Sequence, residues 1–368
     1  MTGKLTSMQS YTLMLICLLG TAIIFGTPKL VPDVWLVELI SLLPAILLFL
    51  LYTALFSLQR RNGFLGLLTS AWGKTLGRTL AVCYAVYFLY IAARNVRDML
   101  ELVMTTLLRE TPPQIVVLLF ILIIAYAASG GMKTLGRLSE VMVALIILFF
   151  ILLGLLLAMS GSLALERTLP FLSKGMLPLI KECFSATLWF PYGETIVFLV
   201  LSPGLGNPVQ FRKLGLAVII TAGIVLTLSD LLQVWSLGME FEKFSAFPLL
   251  DAARLIKIGD FITRMDALVS MITIFSVLVK CSVFLYASAK TASYVFREAS
   301  FSYILPFACF IGAVSMLVTH NFAEHSKEGL YYVIYMLHIP FQFIIPLFTG
   351  IVFWVRAKRK GGLLHDKR

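Results

Sequence analysis

The chain has 368 residues, of which 60% are hydrophobic and only 13% carry a charge. Soluble globular proteins contain about 25% charged residues, and a water-soluble domain of this length has no interior large enough for so much apolar surface. The composition therefore excludes an ordinary soluble enzyme, a secreted disulfide scaffold and a disordered regulator. It predicts an all-α polytopic membrane protein.

The net charge of +11 is distributed in a way that argues against a nucleic-acid partner. Basic residues occur in short clusters between apolar runs, as at Arg60-Arg61, Arg212-Lys213 and residues 356–360, and no basic stripe alternates with stacking aromatic residues. Clusters of this kind are typical of the cytoplasmic side of a membrane protein. We therefore expect contact with the lipid bilayer and none with nucleic acid.

The cysteines and histidines predict neither disulfides nor a metal centre. All five cysteines lie within apolar runs without a CxxC spacing, and the four histidines are scattered along the chain. His320 and His325 fall in a predicted loop, and His338 falls in a predicted helix. We expect no metal and no cofactor. A membrane-embedded enzyme is disfavoured because the sequence shows no cluster of nucleophile and base, so no catalytic residue is assigned.

Apolar runs predict ten membrane-spanning helices. Their approximate bounds are 8–30, 36–58, 76–107, 113–129, 137–159, 178–201, 211–237, 265–290, 302–319 and 329–355. The first run is interpreted as a retained helix because no small-residue cleavage site follows it. A short interfacial helix is expected at 64–72, and the polar stretch 244–261 is expected to form a lid-like hairpin with helical character on the outer face.

The ten spans predict a single integral membrane domain over residues 1–368, divided into two halves. The first half covers about 8–159, the second covers about 178–355, and a short tail follows at 356–368. With both termini in the cytoplasm, seventeen Lys and Arg residues lie on the inner side and ten lie on the outer side. Both termini are therefore predicted to be cytoplasmic.

Two spans are interrupted at matching places in the two halves. Span one contains Gly20, Gly26 and Pro28, and span six contains Pro191, Gly193 and the carboxylate of Glu194. Interrupted helices at corresponding positions indicate the binding site of an inverted-repeat transporter, because unwound backbone exposes polar groups near the membrane midplane. We therefore expect a pocket between these breaks, flanked by spans three and eight. The alternative is that Gly and Pro are merely common in membrane helices.

Four charged residues of span three are spaced for pairing within one helix. Arg94 and Asp98 are four residues apart, as are Arg97 and Glu101, so the two charges of each pair can neutralise each other. An ion-pair ladder near the outer end of this helix is favoured over ligand contact. The same span supplies Tyr84, Tyr87 and Tyr90, of which one or two are candidates for lining the cavity while the usual role is packing.

Glu194 and Lys280 have no partner of opposite charge within reach on their own helices. A charge at membrane depth is costly, so each is a functional candidate by default. Lys280 lies near the middle of span eight, and an interior role is favoured over snorkelling to the surface. Its partner is expected to be a ligand carboxylate or Glu194.

Four stretches of sequence, in this order and at this spacing, resemble the spore germination permease family, the B subunits of endospore nutrient-germinant receptors. The stretches are LLGTAIIFGTP in span one, NVRDMLELVMTTLLRETPPQ after span three, LPFLSKGMLPLIKECFSATLWFPYGETIVFLVLSP around span six, and FPLLDAARLIKIGDFITRMDAL before span eight. The resemblance covers about Thr6 to Arg356. Two departures are the Gly26-Thr27-Pro28 ending of the first break and the lysine at position 280.

This resemblance implies a fold similar to the amino acid–polyamine–organocation transporters, with a LeuT-like 5+5 inverted repeat in which helices 1 and 6 are interrupted. It implies a nutrient-sensing subunit in the inner membrane of the endospore, with both termini on the spore core side, beside an A subunit and a lipoprotein C subunit. By this resemblance the ligand, a small nutrient such as an amino acid, is expected to contact Gly20, Thr21, Ala22, Phe190, Pro191, Tyr192, Gly193 and Glu194, and Tyr87, Arg97 and Glu101 fall where span three approaches or supports the pocket. Tyr87 is included among the expected ligand contacts, and Lys280 is added to them from its own position in span eight.

The competing interpretation is a proton-coupled amino-acid transporter of the same architecture, because fold alone does not decide function. In that architecture spans one and eight lie side by side where relatives can hold a cation. Lys280 is then expected to put a fixed positive charge where a sodium ion would otherwise sit, near the carbonyls around residues 20–22.

Overall fold

The computed structural model describes residues 5–25, 33–59, 63–256, 265–319 and 322–365, and these ranges contain helices and turns but no β-strand. The α-helices in chain order are α1 (Ser7–Leu19), α2 (Ala22–Phe25), α3 (Val34–Leu58), α4 (Gly63–Trp72), α5 (Lys74–Thr106), α6 (Pro113–Ser129), α7 (Gly131–Met159), α8 (Met176–Glu182), α9 (Ile196–Leu205), α10 (Pro208–Leu237), α11 (Met239–Phe244), α12 (Pro248–Arg254), α13 (Met265–Phe296), α14 (Phe301–Leu317), α15 (Phe322–Glu328) and α16 (Ile345–His365). Two 3₁₀ turns lie at Leu165–Thr168 and Tyr192–Thr195, and π-helical segments lie at Cys183–Thr187, Gly329–His338 and Pro340–Ile344.

Within the described ranges, seven helical stretches are long and apolar enough to cross a membrane, which confirms the prediction of a helical membrane-type protein. They are Val34–Leu58, Lys74–Thr106, Gly131–Met159, Met176–Leu205, Pro208–Leu237, Met265–Phe296 and Glu324–Lys358. The other three predicted spans fall on shorter apolar helices, α1, α6 and α14, of 13, 17 and 17 residues. The interfacial helix predicted at 64–72 falls on α4. That all ten cross the bilayer as two repeats stays a prediction.

Capping residues fix where several helices begin. The Thr6 hydroxyl accepts from the Gln9 N–H while the Gln9 side chain accepts from the Thr6 N–H, which forms a capping box at the start of α1. At α10, the Asn207 side chain accepts from the Gln210 N–H, and Pro208 occupies the first helical position. Local sequence therefore sets these two starts without help from distant contacts.

Helices α5 and α13 pack along each other and form the centre of the molecule, and α1 lies between α7, α10 and α13. Small residues permit this close approach, since Ser288 donates to the Ala85 carbonyl at 3.0 Å and the Cys281 thiol lies 3.6 Å from the Ala92 carbonyl. The central pair thereby brings the inward faces of α5 and α13 against the turn after α1.

The polar stretch predicted as a lid-like hairpin contains two short helices, α11 and α12, over its described part. Helix α12 packs against α2, α10 and α13, and its Leu249 and Leu250 are buried. Residues 257–261 of the predicted hairpin lie outside the described residues. The helical character is confirmed, and the outer-face position stays a prediction.

Candidate ligand-binding site

The first predicted break is present as a turn between α1 and α2. Helix α1 ends at Leu19, and Gly20 and Thr21 form the turn before α2 begins at Ala22. The Thr21 hydroxyl donates to the Asn95 side-chain oxygen on α5 at 3.0 Å, so α5 satisfies a polar group at the turn. Gly26, Thr27 and Pro28 of the predicted break lie outside the described residues.

A second helix supports α2, the short helix that follows this turn. On α10, the Ser229 hydroxyl donates to the Ile23 carbonyl at 3.3 Å, and the Gln233 amide donates to Ser229 at 2.9 Å. In a membrane interior, a backbone carbonyl without a partner is costly. These contacts therefore stabilise an interruption that the bilayer itself would penalise.

The second predicted break is also present. After α8, a π-helical segment at Cys183–Thr187 leads into an irregular turn, and the 3₁₀ turn Tyr192–Thr195 precedes α9. Pro191 has no N–H to donate and follows a cis peptide bond, and the Gly193 N–H bonds to the Leu188 carbonyl at 2.9 Å. The span therefore crosses the centre of the molecule as two helical pieces joined at residues 188–195.

A buried ion pair joins the two breaks. The Lys280 ammonium on α13 lies 2.6 Å from the Glu194 carboxylate, and their side chains are 0% and 4% exposed. Lys280 also donates to the Thr21 hydroxyl at 3.3 Å and lies 5.0 Å from the centre of the Phe190 ring, a cation–π distance. Lys280 is predicted to pair with a ligand carboxylate or with Glu194, and in the structure it pairs with Glu194.

Gly20 makes room for the lysine. A Cβ atom built on Gly20 would lie 2.8 Å from Cδ of Lys280, which is closer than carbon atoms pack. Glycine at position 20 therefore leaves space for the Lys280 side chain and also permits the turn.

Other predicted site residues face different neighbours. The Tyr192 hydroxyl donates to Glu38 on α3 at 2.8 Å, and Gly193 faces Gln342. Ala22 and Pro191 are buried and continue the two breaks. Five of the ten predicted residues, Gly20, Thr21, Phe190, Glu194 and Lys280, thus meet at one place; that the set binds a ligand stays a prediction.

Tyr87 belongs to a polar cluster that the sequence analysis missed. Its hydroxyl lies 2.8 Å from Nδ1 of His338, and the Gln342 amide nitrogen lies 2.9 Å from that hydroxyl and 2.8 Å from the same Nδ1. His338 and Gln342 are buried. A histidine inside an apolar span was the available signal, since ionisable residues at membrane depth are rarely incidental.

The ion-pair ladder predicted on α5 is half correct. Arg97 and Glu101 pair at 2.5 Å, as expected. Asp98 instead bonds to Nε2 of His325 at 2.8 Å, while Arg94 donates to the His325 carbonyl at 2.7 Å. His325 lies in α15 and not in a loop, and its helix packs close enough to α5 to compete successfully with the local i,i+4 pairing.

The described ranges contain no group of three or more His, Cys, Asp or Glu side chains arranged to hold a metal ion. The arrangement offers a different chemistry: two opposite charges and a cation-contacting ring where two helices are interrupted. Such a site can accept a small molecule with its own ammonium and carboxylate, or move a proton on Glu194.

The sequence is similar to proteins of one known family. It matches a family described as spore germination protein over residues 4–325. It is 28% identical to spore germination protein KB of Bacillus subtilis (strain 168), over 97% of this chain and 96% of that protein. It is 24% identical to spore germination protein YndE, over 86% of each chain, and to spore germination protein B2, over 72% of each, both of the same organism. The chain therefore belongs to the spore germination permease family.

Proposed function

We propose that this protein is the nutrient-sensing B-type subunit of a spore germination receptor and that it binds a small nutrient, best an amino acid, between its two helix breaks. The observation that carries the proposal is the Lys280–Glu194 ion pair, buried where the breaks meet. Membership of the spore germination permease family supplies the biological setting.

The charges at the site favour a zwitterion over a neutral sugar. An amino acid that enters between the two side chains offers its carboxylate to Lys280 and its ammonium to Glu194, so every buried charge keeps a partner. A neutral ligand in the same place would separate the pair without replacing it, and an unpaired buried charge is strongly destabilising. The Phe190 ring lies at the same place, with its centre 5.0 Å from the Lys280 ammonium.

The proposal includes a LeuT-like arrangement of ten spans in a single domain, with repeats at about 8–159 and 178–355. Two features support it: interrupted helices begin each half, and α13, the eighth span, contacts both breaks while α5, the third span, contacts the first. Interrupted helices at a repeat interface form binding sites in this class of transporter.

The proposal also extends to partners and location. We infer that the chain works in the inner membrane of the endospore, with both termini on the core side, beside an A-type subunit and a lipoprotein C-type subunit. The support is its similarity to spore germination proteins. Co-purification of the tagged chain from spore membranes tests this, and recovery of neither subunit would contradict it.

The deciding experiment is Glu194→Gln in spores that carry the chain with its natural partners. Each of the twenty L-amino acids, D-glucose and inosine is supplied alone, and germination is followed by loss of optical density. The variant should respond only at nutrient concentrations at least about tenfold higher, because a carboxylate–ammonium contact contributes at least about 1.4 kcal/mol. Glu110→Gln, at an exposed glutamate, is the control. An unchanged response at equal protein level would contradict the proposal.

A proton-coupled amino-acid transporter is the second candidate. It is favoured by Glu194 itself, since a buried carboxylate in a transporter-like span can carry an exchangeable proton. Proteoliposomes of the purified chain, loaded at a different pH from the medium, test it with radiolabelled amino acids. Uptake that depends on the pH gradient and is lost in Glu194→Gln would support this candidate.

A further inference from the structure

We propose that the π-helical part of the last span (Glu324–Lys358) positions the second break through the contact of Gln342 with Gly193, and that this contact sets how Glu194 meets Lys280. The inference rests on the proposed function only for its effect on the nutrient response. The geometric effect on the ion pair is independent of any ligand.

The contact at Gly193 leaves no room for a side chain at this position. A Cβ atom built on Gly193 would overlap the side-chain oxygen of Gln342, and Gln342 is fully buried. No positive φ requires glycine at this position, so the reason for glycine is space. Glu194 is the next residue, so a shift of the Gly193 backbone displaces the carboxylate that pairs with Lys280.

The side chains of Tyr87 and His338 hold Gln342 in place. Its amide nitrogen donates to the Tyr87 hydroxyl at 2.9 Å and lies 2.8 Å from Nδ1 of His338. The Tyr87 hydroxyl also lies 2.8 Å from the same Nδ1, so the three polar groups are in mutual contact. With its nitrogen engaged, the Gln342 amide turns its oxygen towards Gly193, where it has no hydrogen-bond donor.

The backbone of the last span is anchored at the same level. π-Helical segments are rare and occur often at functional sites. Here the Tyr84 hydroxyl donates to the Phe341 carbonyl at 2.6 Å and the Tyr52 hydroxyl donates to the Gln342 carbonyl at 2.7 Å. Tyrosines from α5 and α3 thus bind consecutive carbonyls beside the contact with Gly193, which fixes the register that aims Gln342 at the break.

The test uses the purified full-length chain and needs no ligand. The melting temperature is measured for Glu194→Gln, Lys280→Met and the double variant, and the non-additive part of the three shifts reports the interaction between the two side chains. The same cycle is repeated with Gly193→Ala. The added methyl group must displace Gln342 or the break, so the non-additive part should fall by about half or more.

Two further backgrounds make the result specific. Gly204→Ala, at a glycine of α9 with open space around its Cβ position, should leave the non-additive part unchanged. Gly193→Ala combined with Gln342→Ala removes the clash and leaves the added methyl group in the space of the lost amide, so it should recover the non-additive part at least in part. If the Gly193→Ala protein does not accumulate, the cycle is measured in the Gln342→Met background instead. The comparison remains valid because the cycle subtracts general destabilisation. The inference is overturned if the non-additive part for Glu194 and Lys280 is the same in all backgrounds. It is also overturned if the combined variant shows no recovery.

A nutrient readout separates this inference from the proposed function. Spores carrying Gly193→Ala should need about tenfold more of the amino acid that triggers the wild type, with recovery in the Gly193→Ala/Gln342→Ala background. If the ion-pair interaction changes as expected but the nutrient response does not, the positioning role stands and the proposed ligand site fails. If the interaction does not change, the positioning role itself fails.

Discussion

Lys280 is held by three contacts at once, which explains how an ammonium group persists at a position that is 0% exposed. It pairs with Glu194, donates to Thr21 and lies against the Phe190 ring. Moving two charges out of water costs several kcal/mol each, and only close pairing with additional hydrogen bonds offsets that cost. Each half of the pair therefore depends on the other.

Replacing one partner should be worse than replacing both. Lys280→Met leaves Glu194 buried without its cation and is expected to destabilise the fold by about 3 kcal/mol or more, whereas Lys280→Met/Glu194→Gln should recover much of this loss. Thermal unfolding of the purified protein in detergent measures both. Lys290→Met, at an exposed lysine of the same helix, is the matched control. Equal stability of Lys280→Met and Lys290→Met would show that the ion pair contributes nothing.

The charge of Lys280 should also remove any need for sodium. Its ammonium lies 3.3 Å from the Thr21 hydroxyl, at the turn where a cation is expected to be held in relatives. Germination is expected to proceed equally in sodium chloride and choline chloride. Lys280→Arg should retain more activity than Lys280→Met because it keeps the charge. A sodium requirement in the wild type would refute the idea that lysine replaces the ion.

Single residues were predictable from sequence where the physics is local. Glu194 and Lys280 were identified because each is a charge within an apolar run. Their mutual pairing was only one of several options, since 86 positions separate them and no periodicity links distant helices. Asp98 shows the opposite case: a local rule predicted pairing with Arg94, and tertiary packing gave it His325.

At the scale of elements, the last span departs from an ordinary α-helix in its hydrogen-bonding pattern. Its bounds were predictable from hydrophobicity, but the π-helical stretch from Gly329 to Ile344 was not. Propensity and periodicity distinguish helix from strand and not one helical hydrogen-bonding pattern from another. What maintains the pattern here is tertiary: hydroxyl groups of Tyr52 and Tyr84 bind the carbonyls of consecutive residues.

Removal of those hydroxyls should loosen the last span. Tyr84→Phe keeps the ring packed on Phe341 but leaves the Phe341 carbonyl without its donor, at an expected cost of about 1 kcal/mol. Hydrogen exchange measured by mass spectrometry should show faster exchange in peptides covering 338–345. Tyr126→Phe, at a tyrosine that is 80% exposed, should change nothing. Unchanged exchange in Tyr84→Phe would mean that the carbonyl bond does not hold this segment.

Across the whole molecule, the helix breaks of spans one and six are the features that link the sequence to the proposed function. Each was predictable because Gly and Pro in the middle of an apolar run weaken helical pairing. Their meeting at Lys280 follows from the packing of α13 against α5 and α1, which no local pattern specifies. The two-repeat arrangement depends on a further condition: the three shorter apolar helices must also cross the bilayer.

The membrane topology tests that condition for α6 and α14. Helix α6 has 17 residues and is about 25 Å long, against a hydrocarbon core of about 30 Å, so it can cross only if the bilayer thins or its flanking residues extend to the interface. In the ten-span arrangement, Arg109 and Lys133 lie on opposite sides of the membrane, and so do Arg297 and Lys327 on either side of α14. If either short helix fails to cross, the two residues that flank it lie on the same side.

Single cysteines at these four exposed positions, in a chain whose native cysteines are replaced by serine, distinguish the two cases. A membrane-impermeant maleimide is applied to intact cells and, as the control, to permeabilised cells. We expect Arg109→Cys and Lys327→Cys to react in intact cells, and Lys133→Cys and Arg297→Cys to react only after permeabilisation, as they must if both termini are cytoplasmic. Reaction of Arg109→Cys and Lys133→Cys from the same side would remove α6 as a span. The two breaks would then no longer occupy matching positions in two five-helix repeats, and the ion pair between them would need another explanation.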